Sequence, residues 1–355
     1  MKILYLGSNA GNSKLRAHAL RRSGHDLFQV DPVGFLPKFP LTHKWILETG
    51  ALFLERYISD QIIHKVQGQD FDIVVVNGGE LLGPEIINKL KNRYGYIVNY
   101  NNDNPFVDRD KSKWRLYLKA IPYYDLLVVL RESNVGAAYQ YGAKNVLRVF
   151  MSADEIIHAP RTLSNREQEH WSTEVGFIGC WFPERGPFMK RLIQLGLPLC
   201  IDGDRWNKAP EWNFIKDHWR GGAIWGNDYS KAIQCAKISL GLLSKGNQDL
   251  HTRRSVEIPA IGSLLCAERT SEHRALYREG EEAVFWSSPE ECARLCFELL
   301  EDDERRKKIA KNGRERCLRN GFFNQAVMER ILNTVFEIKE YQKPRRPLPR
   351  EIYSI

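Results

Sequence analysis

The chain has 355 residues, 43% of them hydrophobic and 27% charged, with a formal net charge of +8. That length suits two ordinary domains, each with its own core, and no apolar run approaches the ~20 residues of a membrane helix. A basic surface favours acidic partners: nucleotide phosphates, nucleic acid or anionic lipid headgroups.

The N-terminal half alternates strand and helix patterns. The opening MKILYLGSNAGNS holds an apolar run too short for a signal peptide. It reads as a first strand, so a cytoplasmic protein is expected. SKLRAHALRRSGH has helical spacing and stops at a glycine, and DLFQVDP is a second strand. FDIVVVNGG is a continuous β-branched run, as in a strand buried on both faces. GPEIINKLKNRYG is a helix with proline near its start and glycine after it, and YIVNYNNDNP is a strand running into a polar turn. YDLLVVLRESNVGAAYQYGAKNVLRVF repeats strand, helix, glycine, strand. This order predicts a parallel sheet with helices on both faces.

The pattern breaks over residues 152–173, which are polar and lack sustained periodicity, and a domain linker is expected there. It restarts at TEVGFIGCW, and strands are then expected at PLCIDGDRW, ISLGLLSK, SLLCAE and EEAVFW. Helices are expected at GPFMKRLIQLGL, YSKAIQCAK, RRSVEIPAIG and SPEECARLCFELL, with one or two long charged helices over 302–341. The expected fold is α/β: two tandem Rossmann-like, doubly wound domains facing a cleft. We assign the first to residues 1–155, the second to 172–335, and a tail over 336–355 that packs back on the first. The seven cysteines are an odd number, and Cys292 and Cys296 are their one close pair. Without a second Cys/His pair they read as reduced thiols, and no metal site is expected.

In open α/β sheets ligands bind beyond the carboxyl ends of the strands. The stretch TRRSVEIPAIG places charges at the start of an otherwise apolar helix. Arg254 and Glu257 are three residues apart, Arg253 and Glu257 four, so both pairs share a face. Arginine at a helix N-terminus opposes the macrodipole unless an anion sits there too. A diphosphate supplies that anion, and a carboxylate one turn on can accept from a ribose diol. A solvated ion pair at a helix start is the plainer alternative.

Asp249 precedes Glu257 by eight positions, in the loop SKGNQDLHT. Two acids with seven residues between them, across a strand–loop–helix, resemble the E-x7-E pattern of retaining glycosyltransferases of the GT-B fold, with Asp in place of the first Glu. The run from HTRRSVEIPAIGSLLCAE to LLEDDERRKKIAKNGRERCLRNG resembles the C-terminal domain of the CgeB-like (spore maturation protein-like) glycosyltransferases. NYNNDNPF and YYDLLVVLRESNVGAAYQYGAKNV resemble segments of that family's N-terminal half. The likeness spans most of residues 70–320 and is strongest from Arg253 to Cys317.

The resemblance implies a glycosyltransferase that takes a nucleotide-sugar donor, with a UDP- or GDP-sugar expected, and needs no metal or other cofactor. It places Asp249 near the donor sugar and Glu257 on the ribose. FIGCWFPERG then opens the donor domain, with Gly179 admitting backbone close to the ligand and Arg185 beside the diphosphate. Gly203 and Asp204, at another strand end, become candidates for the base or ribose, or form an ordinary turn. On the first domain, Gly11 in GSNAGN and Gly79 and Glu80 in VVNGGE are expected on the acceptor side. Asp103 in NNDNPF is the acid expected to orient an acceptor hydroxyl or act as base, or else to form an Asx turn before Pro105. His18, His25 and His158 are isolated in sequence and receive no role. The acceptor stays open among glycan, lipid-linked, protein and small-molecule classes. Peripheral contact with an anionic inner membrane face and contact with nucleic acid stay open too. Two other readings are an NAD(P)-dependent two-domain oxidoreductase, against which stands the incomplete glycine fingerprint, and a non-catalytic nucleic-acid or polymer-binding protein.

Overall fold

The computed structural model describes residues 1–342 except 38, 40, 52 and 53, and the KPRRPLPR tail lies outside the described residues. The first domain strings together β1 (Lys2–Leu6), α1 (Gly11–Arg22), β2 (Asp26–Val30), α2 (Thr42–Thr49), α3 (Glu55–Lys65) and β3 (Ile73–Asn77). It continues through α4 (Pro84–Tyr94), β4 (Ile97–Tyr100), α5 (Arg115–Ala120), β5 (Leu126–Val129), α6 (Ser133–Gln140) and β6 (Val146–Arg148). Its six strands run parallel in the order β2-β1-β3-β4-β5-β6. β3 explains why parallel order is available: Ile73, Val74, Val75 and Val76 are all fully buried, so both faces of the strand need helical cover.

After α7 (Asn165–Trp171) the second domain repeats the plan with β7 (Thr173–Ile178), α8 (Arg185–Gln194), β8 (Leu199–Asp202), α9 (Trp212–Ile215) and β9 (Trp219–Gly221). Then follow α10 (Gly226–Cys235), β10 (Ala236–Gly241), α11 (Arg254–Ile261), β11 (Leu264–Glu268), α12 (Ser271–Leu276), β12 (Val284–Trp286), α13 (Pro289–Glu301), α14 (Asp303–Arg319) and α15 (Asn324–Gln342). The second sheet is also parallel, in the order β12-β11-β10-β7-β8-β9. Strand order reverses between β1 and β3 in one sheet and between β7 and β10 in the other. Loops leaving the two strands part at such a point and open a crevice.

The chain crosses between the domains twice, side by side. Ala153 bridges Phe323 as a short parallel pair, with Ala153 N–H donating to the Phe322 carbonyl (3.0 Å) and Asn324 N–H to the Ala153 carbonyl (2.8 Å). Ser152 Oγ donates to Asn324 Oδ1 at 2.7 Å. The return to the first domain therefore begins at Asn324, ahead of the tail expected from residue 336. Met328, Ile331, Leu332 and Val335 of α15 are buried against Ile3, Tyr5, Ala17 and Leu20 of the first domain's core. The expected linker also carries a helix, because Ser164 and Glu167 form a capping box that starts α7. No helix among the described residues is long and apolar enough to cross a membrane.

Since α15 closes one face of the first sheet, Leu332→Ala is expected to destabilise that domain by about 2–5 kcal/mol, the usual cost of a buried leucine. Urea unfolding followed through the first domain's own transition checks it, and a loss below about 0.5 kcal/mol would contradict the packing role.

Candidate functional site

A cleft of about 870 Å³ separates the two sheets' carboxyl edges. From the first domain it takes Gly11 and the face of α1 that bears Lys14, Leu15 and His18. From the crossing segment it takes Asp154 and His158, and from the second domain Gly179, the loop 223–226, Tyr229 and the start of α11. Of the sequence candidates, Gly11, Gly179, Arg253, Arg254 and Glu257 meet here.

The charges at the start of α11 thus face the cleft, while Val256, Ile258, Ala260 and Ile261 behind them are buried. Arg254 Nε donates to the Ile178 carbonyl at the end of β7, which fixes the guanidinium beside Gly179. A Cβ on Gly179 would stand 3.0 Å from Arg254 Nη2 and 2.8 Å from the Phe177 ring, so glycine lets the guanidinium lie against backbone. Arg253 Nη1 lies 3.5 Å from Glu257.

Glu257 is only 2% exposed. Tyr229 donates its hydroxyl to Oε2 at 2.5 Å, and His158 Nε2 lies 3.7 Å from Oε1. Burial pushes the Glu257 pKa up, but Arg253, His158 and the Tyr229 hydroxyl together hold it below the usual value. The carboxylate is therefore charged at neutral pH. Burial, then the negative Glu257, keep the Tyr229 phenol protonated. The Asp154 N–H donates to His158 Nδ1 at 2.8 Å, so the ring's proton sits on Nε2, facing Glu257. Burial lowers the His158 pKa and keeps the ring neutral. His158, set aside as isolated in sequence, is a wall of the site, as is Tyr229. Trp225 stands 72% exposed on the cleft's lip.

A second layer holds the start of α11. The Thr252 N–H donates to Ser255 Oγ (2.9 Å), whose hydroxyl donates to His273 Nε2 (2.7 Å). His273 Nδ1–H donates to the Glu268 carbonyl (2.6 Å), so the ring is neutral in this network. Burial is the main cause of its pKa falling to about 4.

Four of the second domain's sequence candidates lie outside the cleft lining. Arg185 does not line the cleft. It is buried at the start of α8, where Nη1 donates to the Cys180 carbonyl (2.8 Å) and Nη2 to the Leu243 carbonyl (2.9 Å), tying together the loops after β7 and β10. Asp249 is buried in an ion pair with Arg131 of the first domain. Gly203 (φ +141°) lets β8 approach β7: a Cβ there would stand 2.1 Å from the Gly179 carbonyl oxygen. Asp204 accepts from the Ala223 N–H at 2.9 Å and so shapes the cleft loop without facing the cleft.

Gly79, Glu80 and Asp103 line a separate recess of about 170 Å³ in the first domain, at the ends of β1, β3 and β4. The Asp103 N–H donates to Asn101 Oδ1 (3.0 Å) in an Asx turn, and Arg109 and Lys113 lie 3.9 and 3.8 Å from the Asp103 carboxylate. Away from both sites, Cys266 joins Cys292 and Cys296 in the second core, their sulfurs within 4.8 Å of one another. Three thiols fall short of the four ligands of a structural zinc site.

Protonation of His273 would remove the acceptor that Ser255 needs. Its folded pKa of about 4 lies below the ordinary 6.5, so between those values the unfolded chain binds a proton that the folded chain refuses. This contribution is complete above pH 6.5 and is lost as pH falls toward 4, amounting to about 3 kcal/mol. Thermal unfolding across that window is expected to show a steeper loss in the wild type than in His273→Gln. Equal slopes would contradict the assignment.

Residues 185–333 match the family model described as Glycosyl transferase-like. No curated protein sequence matches the chain. Among solved structures, the sucrose-phosphate synthase of Thermosynechococcus elongatus superposes with a TM-score of 0.69 at 11% identity, over 95% of this chain and 99% of its own. HepE of Anabaena, in complex with UDP-glucose, gives 0.67 at 12% identity, over 95% of this chain and all (100%) of its own. A glycosyltransferase from Rickettsia africae gives 0.63 at 14% identity, over 96% and 98%. The chain has the GT-B fold expected from its motifs, and residues 185–333 of its second domain resemble the family described as Glycosyl transferase-like.

Proposed function

We propose that the protein is a glycosyltransferase that moves a sugar from a nucleotide-sugar donor, a UDP- or GDP-sugar, to an acceptor held by the first domain. The observation that carries this reading is the ionised, buried Glu257 one turn beyond Arg253 and Arg254 on a cleft wall. A nucleoside diphosphate matches that wall: the two guanidiniums bond its phosphate oxygens, and Glu257 accepts from the ribose hydroxyls. The glycosyl transferase-like match covers α11, and HepE, which shares the fold, was solved with UDP-glucose.

In the reaction the bond between the anomeric carbon and the diphosphate oxygen breaks, and the electron pair stays with the diphosphate. Arg253 and Arg254 stabilise that charge where it develops. The acceptor oxygen bonds the anomeric carbon and passes its proton to the departing diphosphate. Asp103 and Glu80, in the first-domain recess, are the groups we assign to orient the acceptor. Gly79 lines that recess, and Gly11 brings the start of α1 to the cleft. The finer reading, which rests on the resemblance, is a CgeB-like, metal-independent enzyme that retains configuration. It works in the cytoplasm, and its basic surface suits an anionic membrane face or nucleic acid.

Glu257→Ala is expected to weaken binding of the matching nucleoside diphosphate by about 1.5–3 kcal/mol, a lost charged hydrogen bond. Calorimetry on the folded variant checks it, and unchanged affinity would sink the ribose assignment. Sugar transfer is expected to persist in EDTA. Loss of transfer that Mg²⁺ or Mn²⁺ restores would overturn the metal-free reading.

A further inference from the structure

The loop that leads into α11, residues 244–253, belongs to the second domain but is gripped by the first. Arg131, just beyond β5, donates from Nε (2.7 Å) and Nη2 (2.5 Å) to Asp249 Oδ1, with side-chain exposures of 4% and 5%. Its Nη1 donates to the Asn102 carbonyl at 3.1 Å, which orients the guanidinium. Asn104 Nδ2 donates to the Asn247 carbonyl at 3.1 Å. At the loop's far end the Met151 N–H donates to His251 Nε2 (3.0 Å), and Arg148 Nη2 donates to Glu272 (2.6 Å), the acid that also accepts from His251 Nδ1–H. The next residues along the chain are Arg253, Arg254 and Glu257.

We propose that Arg131 is a positioning residue for the cleft: by holding Asp249 it sets where loop 244–253 delivers Arg253, Arg254 and Glu257, so binding in the cleft depends on a side chain outside it. Removing one member of a buried pair leaves the other charge unpaired and displaces the backbone that carries it. Coupling of this kind is reciprocal, so a ligand on α11 also tightens the first domain's hold on the loop. The ligand half of the proposal rests on the nucleoside diphosphate reading above.

The test uses the full chain and two readouts. Amide hydrogen exchange of the ligand-free protein is compared between wild type, Arg131→Gln, Arg131→Lys, Asp249→Asn and Arg131→Gln/Asp249→Asn. Affinity for UDP and GDP is then measured on the same proteins. Arg131→Gln is expected to speed exchange over 249–257 while leaving β8 unchanged, and to weaken the nucleotide roughly tenfold, within the usual range of coupling between sites. Arg131→Lys is expected to fall between, and the double variant to lose less than the two single losses added together. Unchanged exchange over 249–257, or faster exchange everywhere at once, would overturn the hold. Faster exchange with unchanged affinity would overturn the coupling. A wild type that binds neither nucleotide overturns the nucleotide reading instead, and the exchange comparison alone then decides for or against Arg131.

Discussion

A carboxylate with almost no exposed surface stays ionised only where other groups replace the water it has lost. Glu257 is in that position, and its partners come from three places: Arg253 from its own helix, Tyr229 from α10 and His158 from the segment that crosses between domains. The site therefore exists only when the second domain and the crossing segment are folded together. A negative charge held dry beside two arginines is a costly arrangement for a surface helix. It makes sense where a ligand brings both an anion and hydroxyl donors.

Topology explains why these groups converge. The loops after β1 and β7 leave their sheets where the strand order reverses, and each opens a crevice at the carboxyl edge. Two such edges face one cleft because the chain crosses twice at one place, Ala153 against Phe323. The small residues do related work. Gly203 lets β8 approach the Gly179 carbonyl, and Gly179 leaves room for the Arg254 guanidinium that bonds the Ile178 carbonyl. Arg185 ties the loops after β7 and β10 through their carbonyls.

The architecture was legible in the sequence where local pattern decides it. A strand covered on both faces must be continuously apolar, and β3 is. Where local signals are absent the reading fell short. α2 and α3 have neither a capping side chain nor an extended residue before them, since Leu41 and Leu54 are themselves helical. β9 is three residues long. Within the site, residues close in sequence were found together: Arg253, Arg254 and Glu257 share a helix face. Residues whose surroundings come from a distant partner could not be placed from local pattern. Asp249 and Arg131 are 118 positions apart, and Arg185 bonds carbonyls 57 and 58 positions away. His158 looked isolated because the groups it meets, Tyr229 and Glu257, lie far along the chain. Local capping signals were overlooked too: the Ser164–Glu167 box of α7 and Thr270, whose hydroxyl accepts from the His273 N–H at the start of α12.

Binding of a nucleoside diphosphate by α11 is read from a thermal-shift panel. UDP, GDP, ADP, CDP, their sugars and NAD(P) are compared on wild type and Arg254→Gln, because a ligand that binds only the folded state must raise the midpoint. The account predicts a shift with one nucleoside diphosphate and its sugars that Arg254→Gln abolishes. A shift with NAD(P) alone, or one that Arg254→Gln leaves intact, would contradict it.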